Sequence, residues 1–394
     1  MQASRLFWAF VVVSLVPSFV MAQDEAQTIA TIERLGGKIT RNDRLSARPV
    51  IGLIFPQSTK FGDRDTPRLK AFPSLVSLNL RGTQITDDGL RDVGALTNLK
   101  TLVLGQTQIT DAGMKEIKGL KQLTMLVLSN TPITDDGLRD SYQLKNLTTL
   151  GLGQTQITDD GLQDIGKLRN LTTLNLWDTP VTDVGLRQIG KLSNLTTLDL
   201  SSTKITDAGT KEFRNLTGLT RLDLDQTGIT DEGLRDIDVL ANLLSLDLSG
   251  TRISDSGMKK LGQLKKLKSL ALGNNHRITG TGLKDLGNLK NLSRLSLHDT
   301  QTADMYLKDL RELTYLTSLD LGSVQKLSDR GMKEIGKLLN LTELDVSKTS
   351  ITDAGLKEIK GLRHLAHLDL TGTKVTAGAV KKLQQSHPRL EVTR

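Results

Sequence analysis

A unit of about 24 residues recurs along most of this 394-residue chain, and this repetition constrains the fold more than any other feature. Residues 147–170 read LTTLGLGQTQITDDGLQDIGKLRN, and the same pattern begins again at residue 171. A fixed period of this length is typical of repeat architectures, in which each unit contacts its neighbours. The fold and the candidate sites therefore follow from one unit and from its exceptions.

Each unit contains a strand pattern followed by a helix pattern. Leu150 and Leu152 alternate with small residues, which favours a short strand with one buried face. Thr158 and Asp159 then offer side-chain oxygens that we interpret as a helix N-cap. Three apolar residues follow at intervals of three and share one side of a short helix: Leu162, Ile165 and Leu168. Because one unit cannot bury these residues alone, we expect the units to stack.

The unit LxxLxLxxTxITDxGLxxIxxLxN resembles the leucine-rich repeat (LRR), and the resemblance covers about 330 residues. Its T-D-x-G-L segment is similar to the repeats of bacterial secreted LRR proteins and of the LRR part of F-box proteins. The resemblance implies an α/β fold: a curved, right-handed LRR solenoid with a parallel sheet on the concave face and short helices on the convex face. It also implies that a partner, usually a protein, binds the concave sheet.

Residues 1–22 have the pattern of a secretory signal peptide. Arg5 gives a positive start, residues 6–20 are mostly apolar, and Ala22 ends a small-residue cleavage site. The apolar run is shorter than the roughly 20 residues of a membrane-spanning helix, and no later stretch could span a membrane. We predict cleavage after Ala22 and a secreted or periplasmic protein that does not span the membrane, with an uncleaved anchor as the alternative.

The remaining chain divides into a capping segment and a repeat array. Residues 23–74 are predicted to form an N-terminal helix and a degenerate capping repeat, in which Leu53 precedes Leu78 by 25 residues. One side of the helix is expected to carry Ala26, Ile29, Ile32 and Leu35. Residues 75–394 are predicted to form an LRR solenoid of about 13 repeats of 24–25 residues with a C-terminal edge strand.

Two polar residues recur at intervals of 24 through the first eight regular repeats. The threonines are Thr83, Thr107, Thr131, Thr155, Thr179, Thr203, Thr227 and Thr251. The aspartates are Asp87, Asp111, Asp135, Asp159, Asp183, Asp207, Asp231 and Asp255. We interpret the threonines as bonding to the turn backbone or stacking their methyl groups. We interpret the aspartates as helix caps worth about 1 kcal/mol each, not as catalytic carboxylates.

The candidate binding residues are those that lie between or just after the strand leucines on the concave face. Trp177 is either an interaction hot spot or a tolerated surface tryptophan. His298 belongs to the irregular region 274–326, which reflects either specificity or drift of a redundant array.

Two predicted aspartate ladders lie on the same face. The first comprises Asp199, Asp223 and Asp247, with Asp225 beside them, and the second comprises Asp320, Asp345 and Asp369. Carboxylates about 5 Å apart repel one another, which favours a cationic partner or a divalent ion. The opposing interpretation is that Leu-Asp-Leu-Ser is a common filling of this repeat and that Arg221 screens the first ladder.

The sequence argues against enzymatic function and against thiol chemistry. The chain has no cysteine, which excludes disulfides and thiolate metal sites. It contains no nucleophile–base set, phosphate loop or metal-ligand spacing, so we expect no catalytic residues, no cofactor and no metal.

Two alternative functions involve other partners. The net charge of +8 and the basic residues predicted on the convex face raise adhesion to an anionic cell-envelope polymer as an alternative, although acidic residues follow several of them and favour a solvated, mixed-charge surface. These residues are Arg91, Lys115, Arg139, Arg187, Lys211, Arg235 and Lys259. Export argues against nucleic acid. A ubiquitin-ligase adaptor role follows only from the F-box similarity, and a signal peptide contradicts that compartment.

Overall fold

A computed structural model describes residues 25–57, 59–139 and 141–394. The predicted signal peptide, residues 1–22, lies outside the described residues, and so does its cleavage after Ala22. The chain forms two compact units, Met1–Leu171 and Thr172–Arg394, and each is described by itself.

The first unit contains six strands that follow the chain in order. They are β1 Lys38–Arg41, β2 Val50–Ile54, β3 Ser77–Asn79, β4 Thr101–Val103, β5 Met125–Val127 and β6 Thr149–Gly151. β1 pairs antiparallel with β2, and β2 to β6 pair parallel. The α-helices are α1 (25–34), α2 Asp87–Gly94, α3 Asp111–Ile117, α4 Asp135–Leu138 and α5 Leu162–Ile165. Short 3-10 helices cover Thr66–Ala71 and Ser141–Gln143.

The second unit continues the same pattern with ten parallel strands. They are β7 Thr173–Asn175, β8 Thr197–Asp199, β9 Arg221–Asp223, β10 Ser245–Asp247, β11 Ser269–Ala271, β12 Arg294–Ser296, β13 Ser318–Asp320, β14 Glu343–Asp345, β15 His367–Asp369 and β16 Glu391–Thr393. The α-helices are α6 Asp183–Ile189, α7 Met258–Leu261, α8 Leu283–Leu286, α9 Asp329–Ile335, α10 Asp353–Glu358 and α11 Ala377–Ser386. Short 3-10 helices cover Thr210–Asn215, Ile237–Val239, Asp304–Glu312 and Ile359–Gly361. Parallel strands alternating with short helices confirm the predicted fold class.

The core of each unit lies between its strands and its helices. The central strand leucines, such as Leu150 and Leu222, are at most 2% exposed. The eight predicted threonines are only 3–7% exposed. Each donates its hydroxyl to the carbonyl three residues earlier, as in the 2.6 Å bond from Thr155 to Leu152. The threonines therefore close the turn that ends each strand, as one of the two predicted roles required.

The recurring aspartates connect neighbouring repeats, so their prediction as helix caps was wrong. The side chain of Thr110 itself caps α3 by accepting from Ala112. Asp87, from the preceding repeat, accepts the backbone N–H of Thr110 at 2.8 Å and its hydroxyl at 2.6 Å. We call this pair of bonds the aspartate bridge. It recurs within the described residues from Asp63, Asp87, Asp111, Asp135, Asp183, Asp207, Asp231, Asp255, Asp304, Asp329 and Asp353.

The glycine of the T-D-x-G-L segment makes room for the bridge. A β-carbon added at Gly113 would lie 2.4 Å from Oδ1 of Asp87, closer than carbon and oxygen can approach. The same contact of 2.4–2.5 Å recurs at Gly89, Gly137, Gly161, Gly209, Gly233, Gly257, Gly331 and Gly355. The threonine and the glycine of one repeat and the aspartate of the preceding repeat therefore form one structural contact, although the aspartate lies 23 residues before the threonine.

The exceptions to the repeat follow the same rule. In the degenerate repeat at β2, which follows the β1 hairpin instead of a regular repeat, Gly62 and Asp65 stand where the threonine and glycine would be. Gly280 replaces an aspartate later in the array, and the next repeat then has Ala303 for threonine and Tyr306 for glycine. A β-carbon at Gly280 would lie 3.0 Å from Cβ of Tyr306, so Tyr306 occupies the space that the missing carboxylate leaves.

The insertion at residues 274–276 has a structural explanation. Asn275 is 1% exposed and takes the place of a threonine. Its amide donates to the carbonyls of Leu248 and Leu272, at 2.8 and 3.0 Å, and its oxygen accepts from the Thr251 hydroxyl at 3.0 Å. This side chain joins two repeats, which favours a packing role for this part of the irregular region.

The β1 hairpin was not anticipated from the sequence. β1 pairs antiparallel with β2 along the edge that no regular repeat covers. The guanidinium of Arg41 on β1 lies 3.4 Å from the carboxylate of Glu25 on α1. Within α1, Ile32 is fully buried, whereas Ala26 is exposed, so only part of the predicted apolar side faces the core.

Asp87→Ala should lower the free energy of unfolding by about 2–4 kcal/mol, because Thr110 would lose a charged acceptor for both its N–H and its hydroxyl. The measurement is urea unfolding of the full chain. Asp88→Ala is the matched control, since Asp88 is the exposed neighbour of Asp87, and it should change stability by less than about 0.5 kcal/mol. Equal effects of the two substitutions would contradict the bridge.

Candidate functional site

The open sheet face of the second unit carries the residues on either side of each central leucine, together with the residue two positions after each strand. On β9 the leucine is buried, whereas Asp223 and the following Asp225 are partly exposed. From β7 to β15 the central leucine is buried and the residues on either side of it are at least partly exposed, whereas Gly273, Gly322 and Ser347, two positions after their strands, are buried. The side chains of this face belong neither to the leucine core nor to the aspartate bridges described above.

The first aspartate ladder lies on β8, β9 and β10. The strand register places Asp199 beside Asp223 and Asp223 beside Asp247. Each aspartate accepts the N–H two residues later with Oδ1, at 3.1 Å for Asp199 and Asp223 and 2.8 Å for Asp247. Asp199 also accepts from the amide of Asn175 at 2.6 Å. Within the described residues, the second carboxylate oxygens of Asp223 and Asp247 have no hydrogen-bond partner.

Burial and mutual repulsion make this ladder electrostatically unfavourable. Burial, together with the charges of Asp247, Asp199 and Asp225, raises the pKa of Asp223 to about 6, although the hydrogen bond from the backbone N–H of Asp225 lowers it. Burial and the charges of Asp247 and Asp199 likewise raise the pKa of Asp225. Arg221 lies on the same strand but makes no ion pair within the described residues, so direct screening of the ladder by Arg221 is not observed.

The second ladder lies on β13, β14 and β15. Asp320, Asp345 and Asp369 are neighbours in register, and Oδ1 of each accepts the N–H two residues later at 2.8–3.0 Å. These strands and β16 line a shallow depression of about 260 Å³. Glu343 and Glu391 also line it. The sequence analysis did not single out these two glutamates, although they have the period of the strands.

The two histidines of this face are each paired with a carboxylate. Nδ1 of His298 lies 3.5 Å from Oδ1 of Asp320, and Nδ1 of His367 lies 3.1 Å from Oε2 of Glu391. A β-carbon at Gly322 would lie 2.8 Å from Nδ1 of His298, so a glycine at that position admits the imidazole. His298 is thereby held against Asp320 of the second ladder.

Trp177 follows β7 and lies at the edge of the open sheet face. Its side chain is partly buried, not fully outward as the sequence suggested. The backbone N–H of Trp177 donates to Oδ1 of Asn175 at 3.3 Å. The position agrees with both sequence interpretations, a binding residue or a tolerated tryptophan.

The open face of the first unit has a different character. There the same strand positions are mainly small or apolar, and Val103, Met125 and Val127 are partly exposed. Gly151 on β6 is buried, and a β-carbon there would lie 3.2 Å from the Val127 side chain. Acidic charge on the open face is therefore concentrated in the second unit.

A divalent ion is not supported as the ligand of the ladders. In residues 25–57, 59–139 and 141–394, no group of three or more His, Asp or Glu side chains is arranged to hold a metal ion. Among the same residues, no helix is both long enough and apolar enough to cross a bilayer.

Many basic residues of the helical side are paired with acidic residues. Arg214 contacts Asp236 of the next repeat, and Arg311 contacts Glu334. Lys290 lies 3.1 Å from Glu312, and Lys70 lies 2.9 Å from Asp92. These pairs make a mixed-charge surface, which weakens the attraction of a polyanion.

Asp223→Asn should raise the urea midpoint at pH 7. The raised pKa means that the folded state binds a proton that the unfolded chain, at about 3.8, has already released, so stability falls as the pH rises from 3.8 through about 6. The gain from asparagine should therefore vanish near pH 4. Asp369→Asn is the control, because Asp369 has an aspartate neighbour on one side only, Asp345, with Thr393 on the other, whereas Asp223 has one on both sides. A gain that is independent of pH would contradict the repulsion argument.

The comparisons with known proteins concern the repeats and the whole chain. Residues 140–313 match the family model described as "Leucine-rich repeat region", residues 73–133 and 97–157 match "Leucine rich repeat", and residues 337–360 match a further "Leucine Rich repeat" model. No curated protein sequence matches significantly.

Solved structures share the fold. An internalin, InlF, from Listeria monocytogenes is 25% identical with a TM-score of 0.65, and the match covers 87% of this chain and 94% of that one. An LRR protein of Leptospira interrogans is 22% identical with a TM-score of 0.56, covering 83% and 92%. The functional domain of InlJ from Listeria monocytogenes is 19% identical with a TM-score of 0.57, covering 86% and 67%. The chain therefore belongs to the leucine-rich-repeat proteins and resembles the bacterial internalins.

Proposed function

We propose that this chain is an exported, non-enzymatic binding module that holds the basic surface of a partner protein on the open sheet face of its second unit. The observation that carries the proposal is the pair of aspartate ladders. They place a row of carboxylates on a face that the repeat itself does not need for stacking.

The charge of this face is opposite to the charge of the chain. The chain carries a formal +8, whereas strand positions of the open face carry Asp199, Asp223, Asp225, Asp247, Asp320, Glu343, Asp345, Asp369 and Glu391. The arginines at such positions in the second unit are Arg221 and Arg294. Such concentration of one sign on one face increases the rate and specificity of association with a surface of opposite sign.

Desolvation supports a partner that is itself charged. Asp223 retains an unpaired oxygen and a raised pKa, so a lysine or arginine placed against it would stabilise the ionised form. The repulsion within the ladder would then be relieved on binding. An apolar partner would instead bury these carboxylates without compensation, which is costly.

Export and lack of catalysis complete the proposal. The signal-peptide pattern of residues 1–22 supports a secreted or periplasmic location. LRR proteins typically act by displaying a surface, and His298 and His367 are paired with carboxylates and not with a nucleophile. The polymer-binding alternative receives less support, since the helical side pairs many of its own cations.

The partner is found by photo-crosslinking from the open sheet face. A photoreactive amino acid replaces Ser245 on β10, two residues before Asp247 of the first ladder, and Lys259 on the helical side in a control. In the producing cells, only the first variant should capture a protein, and the purified partner should bind more weakly as salt rises. Asparagine at Asp199, Asp223 and Asp247 should weaken its affinity at least about tenfold.

The matched control neutralises three acidic residues of the helical side: Glu232→Gln, Asp236→Asn and Asp238→Asn. This variant should bind as the natural chain does. Capture from Lys259 alone, or equal loss of affinity in the two triple variants, would contradict a docking site on the open sheet face.

Trp177→Ala should weaken binding of the same partner at least about tenfold, because tryptophan is among the residues that most often dominate binding energy at protein interfaces. Surface plasmon resonance measures the affinity, and the urea midpoint shows whether the fold persists. Trp177→Phe keeps a ring and should retain most of the binding. Unchanged affinity of the alanine variant would show that Trp177 is a tolerated surface residue and not a binding residue.

A further inference from the structure

A hollow of about 250 Å³ lies on the helical side of the first unit, where one residue departs from the repeat. The helical segment of each repeat buries an apolar residue at its middle, such as Val93, Ile117 and Ile165. Ser141 stands at this position in the intervening repeat. Because serine lacks the branched carbons of isoleucine, space remains beside Ile117 and Leu144, which line the hollow.

The Ser141 hydroxyl is an unusual polar group in the lining of the hollow. Ser141 is only 5% exposed, and its hydroxyl has no hydrogen-bond partner among the described residues. Buried hydroxyls in folded proteins nearly always have a partner. This hydroxyl therefore offers a donor and an acceptor to a molecule that enters the hollow.

The charged residues around the hollow favour an anion. Lys115, Lys118 and Arg139 line it, together with Asp111 and Asp136. The Asp111 carboxylate already accepts the N–H and hydroxyl of Thr134, at 2.8 and 2.6 Å.

Asp136 is likewise engaged, because it pairs with Arg139 at 2.6 Å. The lining thus holds three cations and two carboxylates, a net charge of +1, because the bonds from Thr134 leave the charge of Asp111 in place. The two lysines are left to act on whatever binds beside them.

We propose that this hollow binds a small aliphatic carboxylate. The hydrocarbon part lies against Met114, Ile117 and Leu144, and the carboxylate accepts from the lysines and from the Ser141 hydroxyl. The volume is below the roughly 300–1,000 Å³ of sites for drug-sized ligands, which limits the ligand to a short chain. This site is separate from the open sheet face and does not depend on the proposed partner.

Titration of the full chain with 4-methylpentanoate by calorimetry tests the site. Ser141→Ile should abolish binding and raise the urea midpoint, because it fills the hollow. Lys115→Ala should weaken binding at least about fivefold. Lys333→Ala is the matched control, since Lys333 lies in the same Gly-Met-Lys-Glu-Ile sequence, but the following repeat has the buried Ile359 in place of serine. It should leave binding unchanged.

Two further probes separate the parts of the ligand. 4-Methylpentan-1-ol has the same hydrocarbon without the charge, and inorganic phosphate has charge without hydrocarbon, so both should bind much more weakly than 4-methylpentanoate. Equal binding of either probe would overturn the assignment to a carboxylate with an apolar tail. Absence of saturable 4-methylpentanoate binding, or binding that persists in Ser141→Ile, would show that the hollow holds only water.

Discussion

Each aspartate bridge connects two repeats through one threonine or serine, and the rest of the structure depends on this contact. The carboxylate satisfies a backbone N–H and a hydroxyl at a place where the next repeat's glycine admits no other side chain. Leucine burial drives the repeats together but has little directional preference. The bridge supplies direction, since two short hydrogen bonds fix the position of one helix start against the preceding one. The open sheet face takes no part in it and is left to vary.

The period of the sequence predicted the fold, but it concealed the bridge. Thr110 and Asp111 are adjacent in the chain, so a local helix cap was the natural interpretation of every such pair. The true partner of Thr110 is Asp87, 23 residues earlier, and in a regular array the two assignments produce the same pattern. Only the exceptions distinguish them. Where Gly280 replaces an aspartate, threonine and glycine are lost from the following repeat and not from its own, which indicates a contact between repeats.

The position of the open sheet face could be predicted from the sequence, but its electrostatic properties could not. Residues one repeat apart, 24 or 25 positions, are neighbours on parallel strands, so the ladders at Asp223 and Asp345 follow from counting. Counting does not show that Oδ1 of each aspartate accepts an N–H of its own chain, or that Asp223 is buried enough to raise its pKa. It also did not show that Trp177 is partly covered. These properties depend on how neighbouring side chains shield one another, which a one-dimensional pattern does not contain.

Ionisation of the bridge aspartates and of the ladder aspartate Asp223 changes the stability of the fold in opposite directions. Burial alone would raise the pKa of Asp255, but hydrogen bonds from Thr279 and Gly282 outweigh it and lower the pKa, so this bridge stabilises the fold above the usual aspartate range and is lost on acidification. Asp223 has the opposite shift, and its charge opposes folding near neutral pH. Asparagine, as at Asn79 and Asn175 in the same column, also accepts the N–H two residues later without that charge. The strand end therefore needs only an acceptor, and the negative charge of the ladder is an additional cost. The cost at Asp223 is the one that the proposed cationic partner would offset, because a lysine or arginine placed against this carboxylate would favour its ionised form.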